Sequence, residues 1–409
     1  MRELPEEWKS IRLRDAGTWL SGGTPSTDEP RFWDGTIPWI SAASMKDFYI
    51  RDSDRRLTKS GASVGTRLVD KGSVVFVVRG MSLKKEFRVG VTQRNLAFGQ
   101  DCKAIVPHHD IDATFLALAL KVYSGNILAM VDEAGHGTGR LPTDMISRLE
   151  IAIPPLPEQR RVVEILETID SCIQAQRGIL GKLESVNTAL MYDSLQRAVS
   201  HADSTCLLGS LAEITSGVTL GVETGGSVEI PYLRVANVQD GYIDSSEMKT
   251  VRVSRANARR YLLEAGDVLL TEGGDLDKLG RGAVWDGRID PCICQNHIFR
   301  VRCDQAQLLP EYLAAYCGSR LGKRYFLGIA KQTTNLASIN SSQLKSMPIP
   351  LPSLQAQDRL VKIAHSGARR TAAETETLGR LQLLREGLME DLLTGRVRVN
   401  AAEAALENL

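Results

Sequence analysis

IAIPPLPEQ at Ile151–Gln159 returns as IPLPSLQAQ at Ile349–Gln357, so that Pro154, Leu156 and Gln159 fall on Pro352, Leu354 and Gln357 at a constant offset of 198 residues. Proline cannot continue a strand interior and biases the residue before it toward extended geometry, so a mixed segment stops at each stretch. A long helix is expected after each. From Glu158 to Val199 there is no proline and only two glycines, Gly178 and Gly181. At alternating spacings of four and three, Val162, Leu166, Ile169, Ile173, Gln176, Leu180, Leu183, Asn187 and Leu190 make a seam with seven apolar positions of nine. That is the pattern of a coiled coil, and Gln176 and Asn187 within it are expected to fix its register. The second segment, Gln355 to about Leu393, carries Leu360, Ile363, Leu378, Leu381, Leu384, Leu388 and Leu392 on one face but is small and polar over 366–377. Long single helices are marginal alone, so each helix is expected to be the other's antiparallel partner, in a rod of roughly 60 Å with a globular unit at each end.

Working outward, the echo extends through the chain. LRDAGTWLSG at Leu13–Gly22 aligns with LGSLAEITSG at Leu208–Gly217, IPWI at Ile37–Ile40 with IPYL at Ile230–Leu233, and KGSVVF at Lys71–Phe76 with AGDVLL at Ala265–Leu270. LMYDSL at Leu190–Leu195 then aligns with LMEDLL at Leu388–Leu393. A period near 200 residues is a duplicated domain and not a solenoid. Short β-branched runs such as SVVFVVRG and GDVLLTEGG read as strands, and Ala113–Val122 and Glu311–Tyr316 read as helices. The expectation is an α+β chain: two repeated mixed α/β domains at 1–155 and 201–353, separated by two long antiparallel coiled-coil helices at 156–200 and, with a tail, 354–409.

The 409 residues are 43% hydrophobic and 24% charged with net charge +1, which suits two or three globular domains with sizeable cores. No apolar stretch is long enough for a membrane span, and MRELPEEWKS does not read as a signal peptide, so a cytoplasmic protein is expected. Cys102, Cys172, Cys206, Cys292, Cys294, Cys303 and Cys317 are an odd, scattered set, expected to be reduced thiols; Cys292 and Cys294 lack zinc-site spacing. Charge is uneven. Between Lys46 and Arg94 twelve cations face five anions, and between Lys249 and Arg302 ten face seven. Two local excesses at matching places of a repeat point to a polyanion.

Catalytic constellations are missing from the sequence. It holds no phosphate-loop motif, no H-E-x-x-H, no nucleophile elbow and no adenine-methylase motif. His136 lies in a glycine-rich GHGTG run, Gly135–Gly139, that precedes no helix and reads as a turn. The chain is therefore expected to do no covalent chemistry and to hold no metal or cofactor.

Two variable domains, each closed by an I-x-x-P-x-L-x-x-Q hinge and a long helix, resemble the specificity subunits of Type I restriction–modification systems. The second hinge departs from that family in having Ala356 where glutamate is usual. The resemblance implies that each variable unit is a target-recognition domain reading one half of a split double-stranded DNA site. It implies that the paired helices set the spacing and dock two methyltransferase subunits, with restriction (motor) subunits joining. S-adenosylmethionine, Mg²⁺ and ATP then belong to the partners. Rival readings are the recognition subunit of a system with a fused methylase-nuclease partner, and a coiled-coil scaffold with two protein-binding heads.

The DNA-contact candidates are cationic and amide residues of inter-strand loops, which neutralise phosphates or read base edges. In the first unit these are Arg79, Ser82, Lys84, Lys85 and Arg88, with Thr138 and Arg140. In the second they are Arg234, Asn237, Lys278, Arg281, Lys331, Gln332, Thr333 and Asn335. Trp33 and Trp39 read as packing residues. Val162, Leu166, Ile169, Ile173, Leu180, Leu183, Leu190, Leu360, Leu378, Leu381 and Leu388 are the candidates for helix pairing and partner docking.

Overall fold

A computed structural model describes residues 4–134, 137–219, 228–274, 279–332 and 337–406. They form two compact units, Met1–Gly178 with Glu376–Leu409, and Ile179–Thr375. The unit boundaries fall inside the two long helices, Leu156–Ser200 and Leu354–Thr394, so each unit owns part of both.

In the first unit a five-stranded sheet runs in the order Gly17–Ser21, Cys102–Pro107, Val74–Val77, Val89–Thr92, Tyr49–Ile50. Its central strand, VVFV, is buried on both faces, which is why it reads as a continuous apolar run and not as an alternation. The helix Ala113–Val122 shares its core, with Asp112 capping the first turn through Oδ1. A four-stranded sheet places Trp33–Ile40 between Arg56–Leu57 and Leu96–Phe98, and holds Trp33 and Trp39 edge to face, 5.3 Å apart. Both indoles are buried under the Arg55 guanidinium, so they are packing residues.

The second unit repeats the frame. Ala212–Ser216, Ile298–Cys303 and Val268–Thr271 pair as their counterparts do, with Gly282–Val284 outside them. Helix Pro310–Gly318 takes the place of Ala113–Val122. The turn into each central strand needs a glycine, because Gly72 and Gly266 hold φ of +86° and +96°. The residue that follows differs: Ser73 in one unit and Asp267 in the other, both buried.

The two hinges are built alike around one side chain. Gln159 and Gln357 are each 0% exposed. Gln159 donates from Nε2 to the carbonyls of Pro154 (2.8 Å) and Asp110 (2.9 Å) and accepts from the Asp112 amide at 2.8 Å. Gln357 donates to Pro352 and Gln307, both at 2.9 Å, and accepts from the Leu309 amide at 2.8 Å. Asp112 and Leu309 are the N-cap residues of the equivalent helices. The glutamine therefore fastens the start of each long helix to the start of the helix behind the sheet.

The two long helices pack antiparallel. Within the first unit Arg385 clasps Asp170 through both guanidinium arms, with Nη2–Oδ2 at 3.0 Å. Within the second, Asn187 donates to Thr371 at 3.2 Å, and Gly367 lies so close to the Asn187 amide that a Cβ there would sit 2.9 Å from it. The small, polar middle of the second helix is thus matched to Asn187. Gln176 is buried.

The expected seam needs one correction. Val162, Leu166, Ile169, Ile173, Leu360 and Leu388 are buried and Leu180, Leu183, Leu378 and Leu381 half-buried, but Leu190 is 48% exposed. Beyond Asn187 the covered face moves to Met191, Leu195 and Ala198. An α-helix with 3.6 residues per turn drifts about 20° per heptad from a strict 3.5-residue repeat, and over four heptads that drift carries the seam off by one position.

Glu158, at the start of the first long helix, accepts from Arg398 Nε (2.7 Å) and Nη2 (2.9 Å) and from the Trp8 indole at 3.2 Å. The position of Ala356 in the second unit opens instead on a cleft of about 470 Å³ lined by Arg197, His201 and Arg359. The departure at Ala356 is thus a cluster present in one unit and absent from the other.

All seven cysteines are free, and five are buried. Burial pushes the thiols of Cys102, Cys292, Cys294 and Cys303 up to about 12, so they pack as small apolar groups. Among the described residues no helix is long and apolar enough to cross a membrane, and no group of His, Cys, Asp and Glu could hold a metal ion.

Candidate nucleic-acid interface

In the first unit the central strand Val74–Val77 leads directly into a small three-stranded sheet of Arg79–Gly80, Thr138–Arg140 and Asp132–Ala134. Its position is set by backbone bonds: the Val78 and Arg79 amides donate to the Asp101 carbonyl, and the Leu141 amide to that of Val78. Arg79 and Arg140 lie directly opposite each other, both exposed, and Thr138 is half-buried on the same strand. The turn Met81–Lys84 follows, with Ser82 half-buried and Lys84 and Lys85 exposed. Lys84 reaches Glu133 at 2.6 Å, and its hydrogen bond and charge hold that carboxyl below its ordinary range. Arg88 is turned inward: it pairs with Glu86 and donates to the Ala42 carbonyl at 3.2 Å. The structure thus brings Arg79, Arg140, Lys84 and Lys85 to one small sheet and its turn, and ties half-buried Arg88 to Glu86 and the Ala42 carbonyl.

In the second unit the same frame is made by Glu272, whose amide donates to the His297 carbonyl and whose carbonyl accepts from Ile339. Gly273–Gly274 pairs with Ala337–Ser338, which pairs with Lys331–Gln332. Lys331 is exposed on the outer strand. Glu272 and His297 add a side-chain hydrogen bond, Nδ1 to Oε2 at 2.8 Å, where the first unit has Val78 and Asp101. Lys278, Thr333 and Asn335, and likewise the Gln332 side chain, Gly135 and His136, lie outside the described residues.

Arg234 and Arg281 approach a second feature, the turn Val235–Asn237. Arg234 donates to the Glu247 carbonyl at 3.1 Å and Arg281 to that of Val235 at 3.5 Å, while the Nε of each is buried without a partner. Asn237, expected among the DNA contacts, is turned into the protein instead. It is 3% exposed, accepts from the Arg234 amide at 2.8 Å, and donates to the carbonyls of Asp244 (2.8 Å) and Glu247 (3.0 Å). Both its donors are spent within its own turn and burial covers its oxygen, so the amide is not presented to a base edge.

Sequence reasoning missed two residues beside Arg79 and Arg140: Gln100, which is exposed, and Lys103, half-buried with its ammonium on Ser21 Oγ at 2.8 Å. The signal for Lys103 was present. In CKAIVP, Lys103 is the one charged residue of an otherwise apolar strand, and a charge of that kind stays at a surface or at a partner.

A family model described as Type I restriction modification DNA specificity domain matches the chain twice, over residues 5–185 and 206–382. The chain is 30% identical over 172 residues to the specificity subunit of the Type I restriction enzyme EcoR124I/EcoR124II of Escherichia coli, a match that spans 42% of each chain. It is 20% identical to the MjaIX specificity subunit of Methanocaldococcus jannaschii over 97% of this chain and 95% of that one. To the EcoKI specificity subunit of E. coli K12 it is 23% identical, over 88% and 82%. Two solved structures share the fold. One is a chain from a study of complex assembly and conformational transition of the type I R-M system, with a TM-score of 0.65, 18% identity and 97% and 100% of the two chains covered. The other is the HsdS subunit of Thermoanaerobacter tengcongensis, with a TM-score of 0.60, 17% identity and 97% and 99% covered.

Proposed function

The chain belongs to the Type I restriction–modification DNA specificity family, and from that premise we propose that it is the non-catalytic subunit that reads a bipartite, gapped DNA target for a methyltransferase and restriction complex. The observation that carries this is one backbone frame used twice with different side chains. Each unit hangs a small sheet from the end of its central strand, Arg79–Arg140 in one and Gly273–Ser338 in the other. A fixed scaffold with exchanged loop chemistry is what reading two unlike half-sites requires.

On this reading Arg79, Ser82, Lys84, Lys85, Thr138 and Arg140 face the first half-site. Arg234, Arg281 and Lys331 face the second, together with Lys278, Gln332, Thr333 and Asn335. Double-stranded DNA lies against both units in the cytoplasm. The long helices set the gap and dock two methyltransferase subunits, to which Ile179, Val186 and Leu190 offer exposed apolar side chains. S-adenosylmethionine binds the methyltransferase subunits, and ATP and Mg²⁺ serve the restriction subunits.

Base-resolved methylation mapping in cells with and without this chain, the cognate methyltransferase present in both, tests the proposal. One split adenine-methylated motif is expected to vanish with the chain; an unchanged methylome with active methyltransferase contradicts it. Lengthening both helices by one heptad adds ~10 Å, about three base pairs of duplex. The tolerated gap is expected to grow while both half-site sequences persist. An unaltered gap in the same methylation assay removes the spacing role.

A further inference from the structure

In the first unit three cations line one cleft of about 290 Å³: Arg79, Lys103 and Arg140, with Gln100 and Thr143 beside them. Arg79 and Arg140 are direct partners across antiparallel strands, a place where like charges destabilise a sheet. Among the described residues neither guanidinium has an ion-pair or hydrogen-bond partner. Lys103, from the neighbouring large sheet, adds a third charge while resting on Ser21 Oγ. The carboxylate nearest by register is that of Asp132, opposite Arg140 on its other side, and it does not line the cleft.

At the three corresponding positions, among the described residues, the second unit carries no charge; the exposed cation of its frame is Lys331, opposite Ser338 on the outer strand. Strand register places Gly273 at the position of Arg79 and Ser338 at that of Arg140. It places Phe299, fully buried, at that of Lys103, since each faces the serine that ends its neighbouring strand, Ser216 and Ser21. The three cations are therefore no requirement of the fold. They are an addition to one unit, held against their mutual repulsion.

We propose that this cleft takes one backbone phosphate of duplex DNA, anchoring the first half-site through three cations that the second unit replaces with Gly273, Ser338 and Phe299. A phosphate presents several oxygens to donors arriving from different strands, whereas a guanine edge is satisfied by one bidentate arginine. The inference rests on the DNA-recognition reading and adds to it the ligand group and an asymmetry between the two units.

The test uses the assembled complex of this chain with its methyltransferase subunits and a duplex carrying the mapped target. Affinity is measured as a function of KCl for the wild type, Arg79→Gln/Arg140→Gln, Arg79→Lys/Arg140→Lys and, as the second-unit control, Ser338→Ala. Both arginines are exposed, and retained methyltransferase binding reports folding. The glutamine variant is expected to shallow the log–log salt slope by about 0.9, the value of one neutralised phosphate, with the methylated motif unchanged. The lysine variant should keep the slope, and so should Ser338→Ala. An unchanged slope in the folded glutamine variant overturns the proposal, and so does a motif relaxed at one base pair, the mark of base reading. A wild-type complex that shows neither motif preference nor salt dependence sinks the DNA-recognition reading itself.

Discussion

Replacing Gln159 with leucine is expected to destabilise the first unit by about 3–5 kcal/mol, and Gln357→Leu to do the same to the second. Each change strands two carbonyls and one amide in a site closed to water. An unsatisfied buried polar group costs about 1–3 kcal/mol, and partial relaxation keeps the total below the sum of three. The losses should be local. Hydrogen exchange at the Asp112 amide is expected to accelerate in the first variant and that of Leu309 in the second, while urea melts report the stability change. A loss below about 1 kcal/mol in both would mean that entering water replaces the amide, and the fastening role would fall.

Asp267→Ala is expected to cost the second unit about 1.5–3 kcal/mol, the range for losing charge-assisted hydrogen bonds, because the Arg302 left behind is half-buried and keeps Glu264 as a counter-ion. Asp267 is 1% exposed and accepts from Arg302 Nε at 2.7 Å and Nη2 at 2.8 Å, and from the Glu264 amide at 2.7 Å. These bonds hold the Arg302 guanidinium charged above its ordinary range. The first unit places Ser73 and Val106 at the corresponding positions and closes the turn with Ser73 Oγ on the Asp70 carbonyl at 2.9 Å. Asp267→Ser/Arg302→Val therefore imports a working alternative and is expected to recover at least half of the loss in urea melts. Recovery of none of it would show that Glu264 and the Leu262 carbonyl depend on Arg302 for more than the charge of Asp267.

Much of the architecture was legible because it is local or repeated. Prolines mark the hinges, a glycine with positive φ precedes each central strand, and Ala113–Val122 forms the helix its composition predicts. The site was legible as a region and less so by residue. Arg79 and Arg140 are 61 positions apart in the chain, and only strand register makes them neighbours. Asn237 and Arg79 look equally available in sequence, yet one amide is consumed by its own turn while the other side chain is exposed. Leu190 fits a heptad and still faces outward, because helical drift is set by backbone geometry and not by side-chain identity.

The sequence by itself determined the duplication, the two hinges, the paired long helices and the family, since each is written in spacing along one chain. Tertiary structure decided which cations converge and which polar groups are already spent. It also showed why the glutamine stands in both hinges: two of its three partners lie 47 to 50 residues away, around helix N-caps. The physical reason is range. Periodicity and proline geometry act over a few residues, whereas charge repulsion and hydrogen-bond satisfaction depend on distances that exist only after the strands have paired.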